Sequence, residues 1–282
     1  MTLKTAINRL MKRASVLCLV ASGLSLSFTG AAVSQELAPG WQAFVASDFE
    51  TALTQSKAAG TADGYALACR SATVIGGYFR TGDEAVDYLH QAIRYCEKAL
   101  ELEPDHLIAK MTYAMDIGFE GKRVTSPGYA NISRRTFEAL PQEHPESPMA
   151  LAAVAGWHSE VHAAGFFARL ALQPSLKKAR EGFEKAFELG TVDLPLRIEY
   201  AKFLARGSKK DRTEAIGVLD DVLAEMPHHG FEEILQKTAA DLKKAIETGK
   251  KSAIRKTIEL TSAFHGIEKW DDRDRLDLAY NN

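Results

Sequence analysis

The chain has 282 residues, 46% apolar and 26% charged, a globular composition that excludes wholesale disorder and a multi-spanning membrane protein. Lys plus Arg number 35 against 37 Asp plus Glu, and four of the basic residues (Lys4, Arg9, Lys12 and Arg13) precede Ser34, so the rest carries 31 against 37, a net of −6. This acidic balance argues against general nucleic-acid binding, which needs a basic face for phosphates.

Residues 1–34 have the form of a cleavable export signal: a basic start, an apolar run over 14–28, then small residues ending in Ala32-Val33-Ser34. Pro39-Gly40 follows closely and would stop the signal helix from entering the mature fold. The alternative is an uncleaved anchor, but Ser15, Ser22, Gly23, Ser25 and Ser27 dilute the run below a good spanning helix. Cys18 follows bulky Leu17 inside the apolar run, which does not fit a lipoprotein signal. The expected destination is the periplasm or the exterior, with no stable membrane insertion after cleavage near Ser34.

Beyond residue 40 the sequence is rich in Ala, Leu, Glu and Lys, with apolar residues three and four apart and no convincing strand. Breaks such as Thr81-Gly82, Glu103-Pro104, Ser126-Pro127, His144-Pro145, Gly207-Ser208 and Met226-Pro227 cut it into helix-length segments. Short connections favour antiparallel neighbours, so the pattern predicts a succession of helical hairpins.

One spacing recurs: a small residue, a larger one four on, a small or apolar one three further, and a Pro after five more. Ala92, Cys96, Ala99 and Pro104 give the best copy. Ser133, Phe137, Leu140 and Pro145 follow, then Ala179, Phe183 and Ala186 with Thr191 in the Pro position, then Ala215, Leu219, Val222 and Pro227. A degenerate copy begins at Ala52, so the leading small residues stand 40, 41, 46 and 36 apart. A small residue lets one helix of a hairpin approach the other, the larger one fills the gap to the next hairpin, and the Pro ends the helix.

The run from Ala92 through Leu100 to Pro104, and Ala179 to Leu189 after it, resembles the second helix of the tetratricopeptide repeat (TPR) family. The resemblance spans about residues 41–227 and implies an all-α, TPR-like solenoid of antiparallel hairpins. The first-helix signature is poorly kept, and the intervals exceed the family's usual 34 residues or so. Gly156-Trp157 through Phe166-Phe167-Ala168-Arg169 is also similar, more weakly, to the divergent TPR proteins known as T components of TRAP transporters. A helical bundle with Ala-rich contacts is the alternative fold. The resulting organisation is a signal over 1–34, a helical-repeat array over 35–227, capping helices over 228–264 and a flexible tail over 265–282.

His158 and His162 lie four apart on one helix face, a spacing that can hold a divalent metal, but the intervening Glu160 is misplaced for a zincin and no third His is near. No nucleophile elbow, phosphate loop or Rossmann glycine pattern is present, and Gly118-Phe119-Glu120-Gly121-Lys122 is too short for a phosphate loop. No catalytic residue, metal or cofactor is therefore expected. The function implied by the TPR resemblance is a non-catalytic scaffold that binds a protein or peptide in a concave groove lined by first helices. The groove candidates are Tyr78, Lys110, Tyr113, Trp157 and His158, together with His162, Arg169, Arg197 and Tyr200, each with ordinary packing as its alternative. The second reading, suggested by the TRAP-associated likeness, is a small-ligand-binding accessory of a transport system; a pocket of several hundred Å³ would favour it over an open groove.

Cys69 and Cys96 are the two cysteines left after the signal. If Thr81-Gly82 is a hairpin turn, they lie 12 residues before and 14 after it, at nearly one level on antiparallel helices. Either a disulfide or two buried free thiols fits.

Overall fold

A computed structural model describes residues 37–270 and 276–278. The proposed signal segment and its cleavage site, and residues 271–275 and 279–282 of the proposed tail, lie outside the described residues. Among the described residues there are thirteen α-helices and no strand. They are α1 (Ala38–Val45), α2 (Phe49–Ala58), α3 (Ala62–Val74), α4 (Gly82–Leu102), α5 (Leu107–Arg123), α6 (Pro127–Glu143) and α7 (Pro148–Ala163). Then come α8 (Phe166–Leu172), α9 (Leu176–Leu189), α10 (Leu194–Ala205), α11 (Lys209–Ala224), α12 (Gly230–Glu247) and α13 (Lys251–Leu260). A π-helical turn (Ile75–Phe79) extends α3, and a 3-10 turn (Ile267–Lys269) follows α13.

Local chemistry sets the helix starts. The side chains of Asp48, Thr61, His106, Ser147, Ser175, Ser208 and His229 each accept a hydrogen bond from the backbone N–H three residues on. Each cap satisfies one of the orphan donors of a first turn and contributes about 1 kcal/mol. Pro127 and Pro148 open α6 and α7, where a missing N–H costs nothing.

Packing follows the recurring spacing. Ala92, Ser133, Ala179 and Ala215 lie on α4, α6, α9 and α11, and all four are buried. The larger residues four positions on (Cys96, Phe137, Phe183 and Leu219) and the third set (Ala99, Leu140, Ala186 and Val222) are buried too. Pro104, Pro145, Thr191 and Pro227 fall just beyond those same helices. Each of the four packs against the helix before it: α3 with α4, α5 with α6, α7 with α9, α10 with α11. The hairpin of α7 and α9 is interrupted by the short α8.

The first members of these pairs form a row of their own. Contacts run from α1 to α3, α3 to α5, α5 to α7, α7 to α10, α10 to α12, and from α12 back to α1. A solenoid whose repeats touch only their neighbours would leave its two ends apart; here the first and last members of the row meet. The seam between them is aromatic, with His229 edge-on to Trp41 and Phe44 at 6.4 and 5.3 Å, and Phe231 edge-on to Phe49 and Tyr78 at 6.5 and 5.3 Å. The approach requires glycine at the start of α12, since a Cβ on Gly230 would lie 1.4 Å from Ser47 Oγ and 2.7 Å from Ser47 Cβ. Trp41, Phe44, Phe231 and Leu235 belong to the principal apolar cluster, so α12 is a packed member of the row as well as its end.

The segment after α13 returns to the start of the array. Phe264 donates its N–H to Gly77 O at 2.9 Å and packs on Phe119 at 4.9 Å. Gly76 and Gly77 admit it, because a Cβ on either would meet Phe264, Ala263 or Tyr88 at about 3 Å or less. Tyr129 donates to Leu276 O at 2.6 Å, and Lys122 pairs with Glu268 at 3.1 Å. Residues 265–270, assigned from sequence to a flexible tail, are thus folded in turns with Ile267 buried; the polar letters there hide apolar anchors at Phe264 and Ile267.

Cys69 on α3 and Cys96 on α4 are joined by a disulfide, with Cα atoms 5.3 Å apart. Both are fully buried. Closing a loop of this size stabilises the hairpin by about 3 to 4 kcal/mol in the chain-entropy account.

Candidate functional site: the inner face of the first helices

The row α3, α5, α7, α10 and α12 lines a cavity of about 1770 Å³. Its wall is mostly apolar, with Met111, Met115 and Phe119 from α5, Phe137 from α6 and Trp157 from α7. On the far side Ile254 and Ile258 of α13 and Phe231 of α12 complete it.

Charged groups stand among these apolar residues, and several are paired. Arg206 on α10 grips Glu160 on α7 with two bonds of 2.7 and 3.1 Å and also donates to Ser159 Oγ at 3.2 Å. Burial would raise the Glu160 carboxyl, but the Arg206 guanidinium beside it outweighs burial and holds it below the usual carboxylate range. Lys202, one turn before Arg206, pairs with Glu199 at 2.7 Å. Burial pushes the Lys202 ammonium down while Glu199 and the nearby Tyr78 push it up, and the net shift is upward.

Some polar side chains in the wall, Arg70 and His265 among them, have groups without a hydrogen-bond or ion-pair partner among the described residues. Arg70 on α3 stacks 4.9 Å over the Phe44 ring, and no carboxylate among the described residues stands within ion-pair distance of it. Burial pulls its pKa down, and Asp193 and Glu232 oppose that only at longer range. His265 also lines the cavity, and its buried Nδ1 has no hydrogen-bond partner. An unpaired polar group away from water is costly unless something satisfies it.

Four of the nine residues singled out from sequence line this cavity: Tyr78, Trp157, His162 and Arg169. Burial raises the Tyr78 hydroxyl pKa, while burial and Arg169 lower that of His162. The other five lie elsewhere. Lys110 is buried against Glu143 of α6 at 2.7 Å, and Tyr113 is a core residue. The inward residues of α5 are Ile108, Met111, Thr112, Met115 and Phe119, so positions 110 and 113 point away from the cavity, Lys110 toward α6 and Tyr113 into the principal apolar cluster. His158 is buried toward α9, where its Nδ1 accepts from the Ser175 N–H at 3.4 Å. Arg197 reaches out to Glu225 with a bond of 2.7 Å, and Tyr200 is buried against Phe183 with its hydroxyl donating to Glu214.

His158 and His162 therefore do not share one exposed face, and among the described residues no group of three His, Cys, Asp or Glu is placed to hold a metal. Arg70, Glu199, Lys202 and Arg206 were not picked out from sequence, and Glu160 only in connection with a metal at His158 and His162. The available signal was charge inside apolar helices that lack a polar face, as in the α10 segment Leu194-Pro195-Leu196-Arg197-Ile198-Glu199-Tyr200-Ala201-Lys202.

Compared with known proteins, the chain matches no family model, no curated protein and no solved structure.

Proposed function

We propose that the protein is an exported, non-catalytic, TPR-like helical-repeat protein that encloses an elongated ligand within its row of first helices. The buried copies of the recurring spacing on α4, α6, α9 and α11 support the repeat reading, and a buried disulfide suits an oxidising compartment. The observation that carries the functional reading is the contact of α12 with α1, which joins the ends of the row around a half-open cavity. At about 1770 Å³ the space exceeds the common range of roughly 300 to 1,000 Å³ for small-molecule sites. An apolar wall that carries guanidinium groups without ion pairs among the described residues, Arg70 among them, fits a long apolar body bearing an anionic group.

The same size also suits an extended peptide segment, which keeps the protein-partner reading as the second one. Native mass spectrometry of the mature protein purified from its own compartment separates the two. The first reading predicts a co-purifying acidic, apolar small molecule that is lost from Arg70→Gln and from a cavity-filling Ala153→Trp variant. A ligand-free protein that captures a polypeptide partner equally well with both variants would contradict it.

A further inference from the structure

The sequence between Glu160 and Glu181 holds no acidic residue but four basic ones, Arg169, Lys177, Lys178 and Arg180, in a chain that is otherwise acidic on balance. The same stretch carries α8, which packs mainly on α6 and α7. Phe166, Phe167 and Leu170 on this short helix are 68, 84 and 67% exposed, and Leu176 just after it is exposed as well. Gly165, at φ +114°, turns the chain out of α7 in a conformation that L side chains rarely adopt. The Phe166 and Phe167 rings touch edge to face at 5.7 Å, so they form one patch. Leu172 anchors the helix by its buried side chain, and Arg134 of α6 donates to Leu172 O at 3.3 Å.

Large apolar side chains that cluster on a surface beside basic ones have two components of membrane affinity: apolar area for the interfacial region and charge for anionic headgroups. Arg180 is occupied by Asp211 and Glu184, and Lys177 by Glu181. Arg169 and Lys178 are exposed and carry no ion pair among the described residues. We propose that α8 and the start of α9 form a docking surface for an anionic phospholipid bilayer, with Phe166, Phe167 and Leu170 entering the interface and Arg169 and Lys178 reaching the headgroups. This is attachment to a surface, not insertion across it: no helix among the described residues is long and apolar enough to span a membrane. Phe167 and Arg169 also line the cavity, so the docking surface adjoins the candidate site.

The test is vesicle flotation with the mature full-length chain, using phosphatidylcholine vesicles with and without phosphatidylglycerol. The wild type should float with the anionic vesicles, stay behind with neutral ones, and be released by salt. Arg169→Glu should weaken the binding by at least about fivefold, the effect of one basic residue near an anionic surface. Phe166→Ser/Phe167→Ser should abolish it with an unchanged helical circular dichroism spectrum, since both side chains are exposed. Failure of the wild type to float, or flotation that survives the double Ser substitution, would overturn the proposal. A wild-type dimer that becomes monomeric in that variant, without vesicle binding, would assign the patch to a second copy instead.

Discussion

The aromatic residues of this protein are used in two opposite ways at two places. At the seam, Phe44, Phe49 and Phe231 are buried together where α1 and α12 meet. On α8, Phe166 and Phe167 face water. The seam side is also fastened by the Cys69–Cys96 disulfide and by the returning C-terminal segment, whereas α8 holds on through Leu172 and one backbone acceptor. The difference teaches that apolar surface at the seam contributes to the fold, and that apolar surface on α8 has been left free for something outside the chain. Perturbations should accordingly split into those that change stability and those that change only binding.

The largest stability effect is expected on the fastened side. Cys69→Ala/Cys96→Ala should lower unfolding free energy by about 3 to 4 kcal/mol, read from urea denaturation of the mature protein. Two free thiols per chain on denatured, unreduced wild type would show that no bond contributes. Next comes Gly230→Ala, which places a methyl group against Ser47 and should cost about 1 to 3 kcal/mol. A change below about 0.5 kcal/mol would mean that the seam is loose enough to give way.

Two buried carboxyls one turn apart on α5 provide a pH test with opposite signs. Asp116 has Thr73 Oγ1 as a hydrogen-bond donor at 2.8 Å, and its Oδ1 has no partner. Burial raises its pKa well above 3.8 in spite of the Thr73 bond, so the folded chain holds a proton that the unfolded chain releases. Its contribution is therefore present at low pH and lost as pH rises above 3.8 toward the raised folded value. Glu120 behaves the other way. Burial pushes its carboxyl up, but hydrogen bonds from Arg123 and His90 hold it at about 2, so its contribution is present above 4.5 and lost as pH falls toward 2. Asp116→Asn should flatten the decline of stability on the neutral side while leaving the acid limb unchanged, as measured by unfolding across pH. An Asn variant with the wild-type pH profile would show that Asp116 is ionised in the fold.

The smallest expected stability change belongs to the free side. Phe166→Ser/Phe167→Ser should shift unfolding free energy by no more than about 0.5 kcal/mol, the usual range for exposed positions. A loss of several kcal/mol would mean that these rings pack against the fold and are not available to a surface.

Helix content, the breaks between helices and the burial of the second helices were legible in sequence because they are local. Ala92, Cys96 and Ala99 announce a packed face through spacing alone, and Pro104 ends it. The first helices were harder, since α7 and α10 are apolar nearly all round, and periodicity cannot say which side faces inward. That is why Tyr200, expected in the groove, is found between helices. The seam was illegible for a different reason. Gly230 and Ser47 are far apart in sequence, and nothing in either segment alone reveals that a missing Cβ at one makes room for the other.

Hydrogen exchange of α1 tests the closed row of first helices most directly. An eight-residue helix at the beginning of the described chain should exchange freely unless tertiary contacts hold it. If α12 closes the row, the amides of Ala38–Val45 are protected in the wild type to a degree comparable with α12, and Gly230→Ala releases both segments together while α5 and α6 stay protected. Rapid exchange of α1 in the wild type, or protection of α1 that does not respond to Gly230→Ala, would contradict the closure of the row that bounds the cavity.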